Sequence, residues 1–282
     1  METMSGNLGH VVSPEWQGWI EDGLRRGCTT DSMIQVLVRD GRISRAVASA
    51  AIRSAQPESN AGATHNQVRP FVETGKNLIA TPDRTIQVVL SVEAPNVAVL
   101  GNVLSDEECD VLIAYGEERM TRSHTVASTG GDQIDPARTS DGCTMQRGEI
   151  DLVTRIEARL AHIANWPVER GEGFQLLRYG VGAEYKPHFD WFNANVPGQA
   201  QLFGTAGQRV GTIVMYLNDV EAGGGTLFPE LGLEVAPRKG GAVFFTNVTP
   251  EGSPCPLSLH GGSPVIAGVK YVATKWLRER VF

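Results

Sequence analysis

From Gly173 onward the chain is a succession of short β-branched and aromatic runs, each closed by turn residues: FQLLRYG, EYKPHFDW, VGTIVMYLND, GTLFPE, GAVFFTNV, PVIAGV and KYVATKWL. Strands this short and closely spaced cannot bury their apolar faces singly. Following two helical stretches, they are best satisfied by two stacked sheets. The expected class is therefore α+β, a double-stranded β-helix (jelly roll) braced by helices.

Upstream, the period changes. Ser13 before Pro14 is a helix-start signal, and Trp16, Ile20 and Leu24 form a helical stripe that Gly27 is placed to end. Met33, Ile34, Leu37 and Val38 make a second stripe stopped by Gly41, and Ser44 opens an alanine-rich third helix through about Ile52. These stripes predict a small N-terminal three-helix segment over 1–56. Residues 57–80, polar and rich in Gly, Asn and Pro, read as a linker. The remainder, 81–282, is the β domain. Within it, Ser105 with Glu108 forms a capping box for a helix to about Met120, and a second helix covers roughly Glu149 to Asn165.

At 282 residues the chain can bury one good core and carry a small extra domain. A net charge of −7 with no basic stripe argues against nucleic acid as a partner. No apolar run approaches membrane-spanning length, and the N-terminus lacks a secretory pattern, so no membrane association is expected. The four cysteines are scattered without paired spacing, which fits a reduced, cytoplasmic protein.

Within this strand-rich region, His188 and Asp190 are two residues apart, and His260 lies far downstream. Alternation along a strand would put His188 and Asp190 on one side, with His260 arriving from another strand. Two imidazoles and one carboxylate make a facial triad that suits Fe(II) and leaves coordination positions open. An isolated His-x-Asp is weak evidence among six histidines. Lys270 strengthens it, because ten residues after His260 a strand can return a cation to the same cavity, as a cosubstrate with a distal carboxylate requires. Trp276 has the same strand parity as Lys270.

ARTSDG, LLRYGVGAEYKPHFDW, RVGTIVMYLNDVEAGGGTLFPE, VAPRKGGAVFF and SLHGGSPVIAGVKYVATKW together resemble the prolyl 4-hydroxylase-type Fe(II)/2-oxoglutarate-dependent dioxygenases, over roughly residues 96–280. The resemblance implies that His188, Asp190 and His260 are the catalytic iron ligands. It implies that Lys270 pairs with the far carboxylate of 2-oxoglutarate and that Tyr179 hydrogen-bonds it. Thr226 is a further cosubstrate contact, and Trp276 lies near the iron. Tyr185 is a pocket-wall or core residue. Arg138 and Ser140 lie where relatives carry a loop closing over substrate, here 121–139, and Trp191 to Gln208 is a second segment for substrate contact. The implied reaction consumes 2-oxoglutarate and dioxygen, with ascorbate as reductant, and hydroxylates an unactivated C–H bond.

The substrate implied first is a prolyl residue in a protein or peptide. Cys255 stands where many relatives carry an acidic residue, and Gly224 where a larger polar one is common. A free amino acid or small metabolite therefore stays open as the substrate. A further alternative makes the chain a partner-docking, oxygen-responsive binder working through its N-terminal helices. Oligomeric state is not readable from the sequence.

Overall fold

The computed structural model describes residues 12–26, 28, 30–55, 69–73, 75–122, 125–126, 132–133, 139–196 and 198–282. The chain divides into two compact units, Met1–Asn66 and Gln67–Phe282.

The first unit holds α1 (Pro14–Arg25), α2 (Thr30–Arg39) and α3 (Arg45–Ala55). Their starts follow the expected chemistry. Ser13 Oγ accepts from Trp16 N–H at 3.4 Å, and Ser44 Oγ from Val47 N–H at 3.3 Å. Ile20, Met33, Ile34, Leu37, Ala48 and Ile52 are buried together as this unit's own core. Gly27 lies outside the described residues.

The second unit runs through β1 (Leu78–Ala80), β2 (Thr85–Val92), β3 (Val97–Gly101), α4 (Asp106–Glu117), β4 (Thr121–Arg122), β5 (Thr125–Val126), β6 (Asp132–Gln133) and β7 (Asp141–Met145). It continues with α5 (Asp151–Ala164), β8 (Gly171–Tyr179), β9 (Tyr185–His188), β10 (Arg209–Tyr216), β11 (Ala222–Gly223) and β12 (Thr226–Phe228). It closes with β13 (Leu233–Val235), β14 (Ala242–Thr246), β15 (His260–Gly262), β16 (Val265–Ala267) and β17 (Lys270–Arg278). A nine-stranded sheet has the order β1-β2-β3-β14-β10-β17-β8-β7-β4, and a four-stranded sheet the order β13-β12-β15-β9. This is the expected jelly roll.

The linker expected over 57–80 extends too far. Among its described residues, Leu78–Ala80 pair antiparallel with β2, and Val72 is buried in the main core. The side-chain amide of Asn96 holds that segment, accepting from Val72 N–H at 2.8 Å and donating to Val72 O at 3.1 Å. Polar composition concealed a segment in which one buried asparagine meets both backbone groups of Val72.

Alternation divides the large sheet into two faces. Phe174 and Leu176 of β8, Ile213 and Met215 of β10, and Tyr271 and Ala273 of β17 pack with α4 and α5. Leu177, Tyr179, Tyr216, Val243, Phe245 and Val272 face the second sheet. The helix side is tied by charge as well. The Arg159 side chain is 2% exposed and reaches Asp83 at 2.5 Å and Glu108 at 2.8 Å. Glu108 also closes the capping box with Ser105.

Candidate metal centre

Strands β9 and β15 pair with His188 directly opposite His260, and the ring centroids lie 4.4 Å apart. The ladder shifts between His260 and Gly262, so β9 carries an extra residue against β15. β9 is a sheet edge, where Pro187 is tolerated. Gly261 is required by this close approach, since an added Cβ would lie 2.8 Å from Tyr185 O.

His188 Nε2 is 3.7 Å from Asp190 Oδ1, and His260 Nε2 is 3.5 Å from Asp190 Oδ2. One ligand-capable atom from each residue lies within 4.8 Å of the others. The expected grouping is present, but strand alternation explains it only in part. β9 ends at His188, so Asp190 lies beyond the strand and strand alternation does not aim it.

Each imidazole is oriented by main chain. His188 Nδ1 is 2.9 Å from Lys186 O, and His260 Nδ1 is 2.9 Å from Ser258 O. A carbonyl only accepts, so Nδ1 carries a proton and Nε2 is the ring atom that faces Asp190. His260 packs against Phe245 with ring centroids 4.4 Å apart. Burial pushes its imidazole down to about 4, so it is neutral at physiological pH. Burial opposes ionisation of Asp190, but the two imidazoles and Arg209 hold its carboxyl well below the usual range. Two imidazole nitrogens and one carboxylate are a donor set that fits Fe(II).

The triad lines a cavity between the two sheets. Lys270, Val272, Thr274 and Trp276 alternate along β17 to form one wall, and Gln175, Leu177 and Tyr179 alternate along β8 beside it. Thr226 of β12 lines the opposite sheet. Lys270 Nζ lies 5.4 Å from the Tyr179 ring centroid. Tyr185 stacks on His188 at 3.7 Å between centroids. Arg209 lies 3.7 Å over the Trp276 ring, and both oxygens of Glu172 hold the Arg209 guanidinium.

The structure thus brings His188, Asp190, His260, Lys270, Tyr179, Thr226, Trp276 and Tyr185 to one cavity. It does not bring Ser140, which is fully buried just before β7 and does not line that cavity. Arg138 lies outside the described residues. Sequence reasoning missed Gln175 and Thr274, although parity with Tyr179 and Lys270 signals both. It also missed Tyr216, a buried residue whose hydroxyl donates to Thr226 Oγ1 at 2.7 Å, and Thr212, which bonds Asp190. No spacing in the chain signals the last two contacts.

The sequence profile of the 2OG-Fe(II) oxygenase superfamily matches residues 174–278. Prolyl 4-hydroxylase 5 of Arabidopsis thaliana is 40% identical over 210 residues, covering 67% of this chain and 70% of that protein. Probable prolyl 4-hydroxylase 8 of the same plant is 40% identical over 216 residues, covering 69% and 71%. The crystal structure of a viral collagen prolyl hydroxylase from Paramecium bursaria Chlorella virus-1, a 2OG complex, is similar at a TM-score of 0.52 and 26% identity. That match covers 64% of this chain and 95% of the viral one. With its His-Asp-His cluster between the sheets and this identity over most of its relatives' length, the chain belongs to the prolyl 4-hydroxylase-type Fe(II)/2-oxoglutarate-dependent dioxygenases.

Proposed function

We propose that this enzyme hydroxylates a prolyl residue within a protein or peptide. His188, Asp190 and His260 would hold Fe(II), with dioxygen as the oxidant and ascorbate as the reductant that keeps the iron ferrous. The observation that carries the site reading is Lys270. It is 5% exposed on the cavity wall and has no ion-pair partner among the described residues. Burial pushes its ammonium down to about 8, partly countered by Glu234, so it is still charged at neutral pH. A buried cation without an anion is costly, and the far carboxylate of 2-oxoglutarate supplies one.

In this reading Lys270, Tyr179 and Thr226 bind the distal end of the keto acid and orient its reacting end toward the three ligands. Iron held by His188, Asp190 and His260 would supply open coordination positions for the keto acid and dioxygen, for a reaction in which one oxygen atom ends in the substrate hydroxyl and the other in succinate, with loss of carbon dioxide. Tyr185 and Trp276 offer aromatic surface against which a pyrrolidine ring packs. Arg138 is assigned, on sequence alone, to closure over the peptide.

Succinate release by Fe(II)-loaded protein with ascorbate tests the substrate. Peptide-dependent succinate and a peptide mass gain of one oxygen atom are expected with proline-containing peptides. Stimulation by free amino acids alone would move the substrate to a small metabolite. We further propose a cytoplasmic enzyme, consistent with four free cysteines, whose N-terminal helices dock a partner. Deleting residues 1–66 should then leave turnover intact and abolish specific capture of that partner.

A further inference from the structure

The three side chains of the triad are not held alike, and the difference assigns a role to two residues outside it. Each imidazole is fixed by a carbonyl two residues earlier in its own segment. Asp190, past the end of β9, is held instead by a side chain from the other sheet: Thr212 Oγ1 donates to Asp190 Oδ2 at 2.7 Å. A hydroxyl has one proton and an ionised carboxylate can only accept. The next contact, Asn247 Nδ2 to Thr212 Oγ1 at 2.9 Å, must therefore run from amide to hydroxyl.

This relay is dry and rigidly mounted. Thr212 and Asn247 are fully buried, and Asp190 is 7% exposed. Thr212 sits on β10, paired on both sides by β14 and β17. Asn247 is pinned by its main chain, with N–H donating to Val210 O at 3.0 Å and the carbonyl accepting from Cys255 N–H at 3.0 Å. Its Oδ1 is buried without a partner among the described residues. Turning the amide over would set that oxygen against a hydroxyl whose proton is already given away. The observed orientation leaves one acceptor unmet in order to keep Thr212 aimed at Asp190, and a buried unmet group calls for a reason.

We propose that Thr212, oriented by Asn247, is a positioning residue that occupies Asp190 Oδ2 and leaves Oδ1 as the metal-binding oxygen. A carboxylate bound through both oxygens would consume a coordination position that the keto acid or dioxygen requires. The proposal rests on the reading of His188, Asp190 and His260 as the metal site.

The test is metal affinity, measured anaerobically by competition of the full-length protein with a chromogenic chelator for Fe(II). The ligand-field spectrum of the Co(II) form serves as a second readout. Thr212→Val keeps the shape and removes the donor. It should weaken Fe(II) binding by about 10- to 100-fold, as loss of a partner behind a metal ligand does, and change the Co(II) spectrum. Thr212→Ser restores the hydroxyl and should restore both, and Asn247→Leu should weaken binding less than Thr212→Val. Fe(II) affinity and a Co(II) spectrum unchanged in Thr212→Val would overturn the relay. Equal losses in the Ser and Val variants would reduce Thr212 to packing and overturn it as well. Should the Val variant fail to fold, the Ser and Leu variants still decide, because rescue and partial loss are read on metal affinity. Wild-type protein that bound neither metal would overturn the metal-site reading itself, a distinct outcome.

Discussion

Lys270 and Lys275 lie on one strand, five residues apart, and both are nearly inaccessible to solvent, yet they do opposite things. Lys275 points to the helix side and meets Glu157 of α5 at 2.5 Å, with both side chains buried. Lys270 points between the sheets and has no such partner among the described residues. Burial lowers the ammonium pKa of both, and at Lys275 the Glu157 carboxylate counters it. A buried charge paired within the fold is structure. One left unpaired in a cavity is a binding determinant awaiting its counter-ion.

The sharpest way to break this contrast is to remove the centre that Lys270 serves. Asp190→Ala should reduce coupled succinate formation to background while circular dichroism shows the fold unchanged. Lys275→Ala should leave Glu157 buried and unpaired, at a cost of about 3–5 kcal/mol and a fall in Tm of roughly 6–20 °C. The KM for 2-oxoglutarate of the protein that remains folded should not move. Replacing the pair together, as Lys275→Met with Glu157→Leu, should recover most of that loss in the same thermal melts.

Lys270→Ala should do the reverse. Its thermal stability should be unchanged or higher, while the KM for 2-oxoglutarate rises roughly 10- to 150-fold, the worth of a charged hydrogen bond of about 1.5–3 kcal/mol. A stability loss like that of Lys275→Ala with an unchanged KM would erase the distinction.

The smallest effect is in pH. The Lys270 ammonium is depressed from 10.5 in the unfolded chain to about 8 in the fold. Below pH 8 it is charged in both states and burial is penalised. Between about 8 and 10.5 the unfolded state binds more protons, so stability of the cosubstrate-free protein should rise with pH across that window. The Kd for 2-oxoglutarate should weaken over the same window as the free enzyme loses its cation, by at most about tenfold per pH unit. Lys270→Ala should flatten both profiles, in chemical denaturation and in titration calorimetry respectively.

The same two lysines mark where the sequence is legible. In KYVATKW their difference in parity assigns them to opposite faces, and that much is readable from a period of two. That Lys275 has a carboxylate waiting on a helix more than a hundred residues earlier is not. The triad was legible as residue types, because His188 and His260 face each other across a ladder. Asp190 was legible only as a neighbour, since its aim comes from Thr212 and Asn247 on other strands and loops. Capping at Ser13 and Ser105 depends on residues three apart and was readable. The folded stretch around Val72 depends on Asn96, beyond local chemistry, and composition misread it as linker. Ser140 was placed by resemblance in a substrate loop, and the structure buries it outside the cavity lining.

The facing of His188 and His260 across β9 and β15 has a consequence for assembly. Side chains in a strand reverse face with every one-residue slip. A slip of the edge strand β9 would turn His188 out of the cavity and leave its partner without a second nitrogen. Only one registration of that edge strand can chelate, so an ion captured there stabilises the correctly paired strands over their neighbours by the free energy of binding. The iron would then work as an inspector of strand alignment before it takes any part in catalysis.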